Sequence, residues 1–262
     1  MPSGRHFEAI FLQAKPNCGN CVCGNCGVPG FCGVGKKCYL RSRNGMKKNG
    51  KCEMDVLLSS AYLAPIQYYT KLLQCQGNAY IEACDSYLKQ TYRNRCVIVD
   101  ANGPLALTVP TEKLDTDKCL MRDIRISDHG NWRHRHWNAL EAAYRHTPFF
   151  LYYEDDFRPF YEQKIEFLYD FNMRLTQLVC QLIGIDTPLL PTTGYGDAGT
   201  VTDLRESIHP KRPWTTDKAF APKEYYQVFK DKHGFIANMS IVDLLFNMGP
   251  ESILILNESC SR

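Results

Sequence analysis

The chain has 262 residues, with 31 Lys or Arg against 28 Asp or Glu and a net charge of +3, a length that suits one or two domains. The balance is uneven: residues 1–53 hold nine basic and two acidic side chains (+7), which leaves 22 basic and 26 acidic ones (−4) from Met54 on. The acidic main part argues against a large nucleic-acid footprint, and no apolar run approaches the ~20 residues of a membrane-crossing helix.

Residues 1–53 form a Cys/Gly-rich basic leader, with seven of the 13 cysteines and nine of the 18 glycines. So few large apolar side chains cannot offset the entropy of ordering. We expect a disordered extension, or upstream sequence ahead of a true start at Met54. Cys18-x2-Cys21-x-Cys23-x2-Cys26 is the competing metal reading. Zinc modules, however, separate their C-x2-C pairs by about a dozen residues or more. Cys75, Cys84, Cys96, Cys119, Cys180 and Cys260 are scattered, mostly in apolar runs. They are expected as buried thiols in a reducing cytoplasm.

From Met54 the pattern predicts one α/β domain, 54–262. Asp55–Ser60 has the apolar core of a buried strand. Pro65 opens a helix whose stripe is Ile66, Tyr69, Leu72 and Leu73, Gly77-Asn78 stops it, and Ala79–Ala83 is a second strand. Strand, helix and strand over this length predict a right-handed βαβ unit with parallel strands. Arg95–Val99 and Leu105–Val109 flank Asp100-Ala101-Asn102-Gly103-Pro104, an antiparallel hairpin that makes the sheet mixed. Ile124–Ile126 is a further short strand. The rest is mostly helical. Trp132, His136, Leu140, Ala143 and Tyr144 share one helical face. A long helix is expected from Pro159 to Ile183, capped by Gly184. Thr187–Phe220 shows no sustained period and reads as a lid or binding loop. Ser240 and Asp243 look like a helix-capping box, and Gly249-Pro250 like a stop.

Four segments in this order resemble the WbqC-like family. They are Ala61–Tyr69, Lys89–Arg95, Trp132–His136 running on to Phe150, and Tyr226-Gln227 with Ser240–Gly249. Ser60-Ala61 stand where the family often has Gln-Pro, and Glu82-Ala83-Cys84-Asp85 where it often has paired Asp. The resemblance implies a bacterial surface-polysaccharide (O-antigen) setting and a transferase that adds glycine or another acyl group to a polysaccharide precursor.

His136 lies one turn after Trp132 on the same face. Imidazole there is a candidate general base, the alternative being a hydrogen-bonded core histidine. Arg95 offers a planar fork for carboxylate or phosphate, and Lys89 a second cation. The alternative is a structural pair with Glu82 or Asp85. Tyr62, Asn94, Trp132, Tyr226 and Gln227 are candidate substrate contacts. Asp243 is expected to support its helix start. Glu154-Asp155-Asp156 is expected as a solvated turn before a helix. No phosphate-loop, dinucleotide, zinc-protease, kinase or Ser-His-Asp signature occurs, and no cofactor or metal is assigned to the main domain. The expected partner is a small or sugar-linked substrate. The rival class is a non-catalytic scaffold of polysaccharide or envelope assembly.

Overall fold

The computed structural model describes residues 55–113, 119–194 and 201–261. The leader, its Cys18–Cys26 motif included, lies outside the described residues.

β1 (Val56–Ser59), α1 (Ile66–Gln74) and β2 (Ala79–Glu82) form the expected βαβ unit. The strands pair in parallel, with Val56 opposite Ala79 and Ser59 opposite Glu82. Pro65 sits at the helix N-cap, one residue before the first helical turn. α1 is buried on all sides from Ile66 to Leu72, not along one stripe. Its Lys71 is therefore neutralised inside, 2.7 Å from Asp217, as a buried ammonium must be.

β3 (Arg95–Asp100) and β4 (Gly103–Thr108) form the antiparallel hairpin, closed through Ala101-Asn102, with Gly103 at φ 109° opposite Asp100. Parallel and antiparallel pairings sit in two separate sheets. The larger sheet is wholly parallel, in the order β5-β2-β1-β6. Its edge strands β5 (Leu189–Pro191) and β6 (Thr202–Asp203) both come from the stretch read as a structureless lid. That expectation gives way there, because backbone pairing fixes these residues to β2 and β1. Ile124–Ile126 makes only isolated bridges, Ile126 to Thr111 and Arg125 to Phe167.

The helical half begins with α2 (Trp132–Tyr144), as expected. The single long helix is in fact two, α3 (Phe150–Glu162) and α4 (Leu168–Ile183). Pro159 lies inside α3 and does not start a helix. Phe150, Tyr153, Phe157 and Tyr161 bury one face of α3 at three- and four-residue steps, and that packing sets the element. Glu154, Asp155 and Asp156 are thus helical, not a turn. Gly184 ends α4 at φ 85° as expected. A short α5 (Lys230–His233) precedes α6 (Ile241–Met248) and α7 (Ser252–Glu258).

The capping box is overturned. Ser240 is the N-cap of α6, but its hydroxyl donates to the Leu63 carbonyl at 2.7 Å instead of capping. Asp243 is buried and accepts from Tyr144 Oη at 2.9 Å, Tyr225 Oη at 2.5 Å and Gln227 Nε2 at 2.7 Å. Burial raises its pKa, and the three donors partly offset this.

Gly249 ends α6 at φ 55° and ψ −130°, a region only glycine occupies without strain. A Cβ there would stand 2.5 Å from the Phe149 ring. Gly249→Ala should cost about 3 kcal/mol or more, from backbone strain plus overpacking. Urea denaturation checks this, and an unchanged midpoint would show that the α6–α7 junction relaxes freely.

Candidate functional site

Two concave regions lie beside the expected site residues. The first is a groove of about 360 Å³ between β4 and α2, lined by Leu105, Leu107, Thr108, Trp132, Arg135 and His136 among others. That volume falls in the range of small-ligand pockets. α2 places Trp132 and His136 one turn apart, with their rings in edge contact at 5.1 Å. His136 is only 6% exposed. Its Nδ1 lies 3.1 Å from Tyr62 Oη, which lies 2.9 Å from Tyr161 Oη. The Tyr62 ring also stacks on the imidazole at 5.8 Å. The His136 pKa is lowered to about 4, chiefly by burial, with a hydrogen bond to the Thr108 backbone working the other way and the Arg135 charge adding a smaller push down. His136 is thus a neutral imidazole at pH 7. Trp132 Nε1 is buried in the same region with no hydrogen-bond partner.

The second region lies at the carboxyl ends of the parallel strands, where open α/β sheets bind ligands. It is a narrow cleft of about 20 Å³ lined by Ser59, Ser60, Thr91, Arg93, Arg205 and His209 among others. Arg93 donates from Nη2 to Asp85 Oδ2 at 2.7 Å and to Ser59 Oγ at 3.3 Å. Arg205 donates from Nη1 to Glu82 Oε2 at 3.1 Å and from Nη2 to Asp203 Oδ2 at 2.7 Å. Glu82 and Asp85 therefore each hold an arginine.

The expected site residues divide between these places. His136 and Trp132 line the groove. Tyr62 is fully buried behind them and touches His136, not open space. Arg95 borders the groove through Thr108, with Nε 3.2 Å from its hydroxyl. It pairs with neither Glu82 nor Asp85. Lys89 is exposed and lines neither region. Asn94 ties down the hairpin base, with Nδ2 donating to the Val109 carbonyl at 3.1 Å. Gln227 is buried against Asp243 and also donates to the Ile236 carbonyl at 3.0 Å, so it fastens its own loop. Tyr226 is exposed. Arg93 and Arg205 were missed: one sits beside two other cations in sequence, and the other lies in a stretch with no period. Among the described residues, no group of three His, Cys, Asp or Glu is placed to hold a metal ion. Nor is any helix there long and apolar enough to cross a membrane.

The sequence profile of the WbqC-like protein family matches residues 60–212, more than half of the chain. The chain belongs to that family. The match includes the groove and the cleft except for Leu58 and Ser59, while the Tyr226–Gly249 segment lies beyond it. This WbqC-like chain is 28% identical over 189 residues to the uncharacterized protein Rv1507c of Mycobacterium tuberculosis, covering 63% of this chain and 81% of that one. No solved structure matches significantly.

The His136 environment sets a pH dependence. An unfolded histidine takes up its proton near pH 6.5, whereas the folded ring does so near 4. Between these values the unfolded chain binds more protons, so stability falls as pH falls. From pH 7 to 4.5 this one group should remove about 2–3 kcal/mol. Comparing urea unfolding of the parent and His136→Gln at both pH values isolates it. Parallel pH slopes in the two proteins would contradict a depressed His136 pKa.

Proposed function

We propose that residues 54–262 form a group-transfer enzyme that adds a glycyl or other acyl group to an activated or polysaccharide-precursor substrate. The observation that carries this reading is the groove between β4 and α2, where a neutral imidazole lies beside Trp132 and Arg135. The acceptor's hydroxyl or amine would attack the acyl carbonyl carbon and lose its proton to His136. The bond to the leaving group breaks with its electron pair, and the proton passes to that group. A base with so low a pKa is weak at rest. An anionic substrate beside Arg135 would offset that cation and stabilise the imidazolium, bringing basicity up when substrate is bound. Arg135 and Arg95 supply the positive charge for such a substrate, the role expected of Arg95 and Lys89. Tyr62 stands behind the base and holds its orientation.

One feature favours the non-catalytic alternative: Leu151 and Tyr152 of α3 are 65% and 74% exposed, as a partner-binding face would be. A transfer assay separates the two readings. It pairs labelled glycyl and acyl donors with sugar-nucleotide acceptors, using the parent and His136→Gln. Turnover should fall by roughly 10²–10⁴-fold, the usual contribution of a general base, with the protein still folded at pH 7. Equal rates in the two proteins would remove His136 from the chemistry. Absence of transfer by the parent across the whole panel would favour the scaffold.

A further inference from the structure

Arg93 is 4% exposed, yet only its Nη2 has protein partners among the described residues, Asp85 and Ser59. A guanidinium has five N–H donors. Three of them, on Nε and Nη1, are left without a partner in a side chain that lines the sheet-edge cleft. Neither atom is sealed off from solvent in the way Trp132 Nε1 and Arg133 Nη2 are, and the cleft is the concave region that Arg93 lines.

The cleft's lining is one-sided in charge. It includes Arg93, Arg205 and His209 with the hydroxyl residues Ser59, Ser60 and Thr91, and no Asp or Glu. The carboxylates that neutralise the two arginines, Asp85, Glu82 and Asp203, contact them from outside that lining. Carboxylates placed behind a guanidinium orient its remaining donors, much as outer partners orient the ligands of a metal. His209 Nδ1 accepts from the Lys211 backbone N–H at 3.1 Å, which assigns the proton of the neutral ring to Nε2. Side chains from three places in the chain meet here: Arg93 before β3, Ser59 at the end of β1, and Arg205 and His209 after β6; Ser59 Oγ donates to the Arg205 carbonyl at 3.4 Å and Arg205 is engaged by Asp203 and Glu82, so the donors left for a ligand are those of Arg93 and His209.

We infer that this cleft is an oxyanion subsite: it receives one carboxylate or phosphate group of a ligand on Arg93, with His209 at its side. The remainder of the ligand extends outward, because about 20 Å³ holds a single group and not a molecule. The subsite is separate from the β4–α2 groove and does not depend on His136 acting as a base. Arg93 lies two residues before Arg95 but on a different surface, and Arg95 is not part of it.

Direct binding tests this without any activity assay. The full chain would be titrated with sodium phosphate and, separately, with sodium acetate, at constant ionic strength with chloride as the reference anion. Calorimetry and melting temperature are the readouts. One of the two anions should bind saturably and raise the melting temperature, which identifies the group as phosphate or carboxylate. Arg93→Gln should abolish this binding. Because that change also frees Asp85, Arg93→Lys is the companion variant: it keeps the charge and the Asp85 pair but loses the fork, and binding should weaken at least about tenfold. His209→Gln should weaken it less. The inference fails if neither anion saturates above chloride, or if Arg93→Lys binds as tightly as the parent. Loss of transfer in His136→Gln with anion binding intact would leave the two sites independent.

Discussion

The carboxylate of Asp243 is the constraint on which the arrangement depends. It is buried and accepts three hydrogen bonds, from Tyr144 at the end of α2 and from Tyr225 and Gln227 ahead of α5. The chain continues through Tyr144 Oη, which accepts the Val99 N–H of β3 at 3.2 Å. Hairpin, α2 and α6 thus meet at one carboxylate. A buried polar network is stabilising only while every member is satisfied. The position of α2 against the hairpin is therefore tied to the packing of α6, and the His136 groove lies between these same two elements.

The same carboxylate shows where sequence patterns are ambiguous. Ser240 and Asp243 have the spacing of a capping box, and Ser240 does end up at the N-cap. What decides the hydroxyl's partner is the Leu63 carbonyl, brought in by the loop after β1 through the Pro65–Ser240 bridge. Local propensity cannot anticipate an acceptor 177 residues away. The βαβ unit and the hairpin were legible because their signals are local: apolar runs, Pro65, Gly77-Asn78 and Asn102-Gly103. β5 and β6 were not, since strands of three and two residues are too short to show alternation. The division of α3 from α4 was hidden by aromatic residues that continue the helical step across the break.

The candidate site was legible in part for the same reason. Trp132 and His136 are related by one helical turn, so their shared face follows from spacing. Arg93 and Arg95 are two residues apart on a chain entering β3, and no periodicity ranks them. Register does: Arg95 stands opposite Thr108 in the ladder and bonds to its hydroxyl, whereas Arg93 precedes the strand and turns into the sheet edge. Glu82 and Asp85 divide their work in the same region. Each carboxylate partners a different arginine, Arg205 for one and Arg93 for the other.

Residues 60–65 connect the two regions. Ser60 lines the sheet-edge cleft and accepts from Asn172 Nδ2 at 3.0 Å. Two residues on, Tyr62 crosses the core to stand behind His136, its ring packed on Phe171 at 5.6 Å. Asn172 holds the other side as well, donating to the Arg93 carbonyl at 2.8 Å. The backbone from β1 to α1 is therefore clamped at both ends, and Leu63 takes a positive φ of 40° within it. Such a conformation in a branched side chain costs energy and persists where surrounding contacts over-determine it. Here those contacts are the Tyr62 N–H to the Tyr92 carbonyl at 2.8 Å and the Ser240 hydroxyl to the Leu63 carbonyl. A rigid loop of this kind fixes the distance between the imidazole and the arginine cleft.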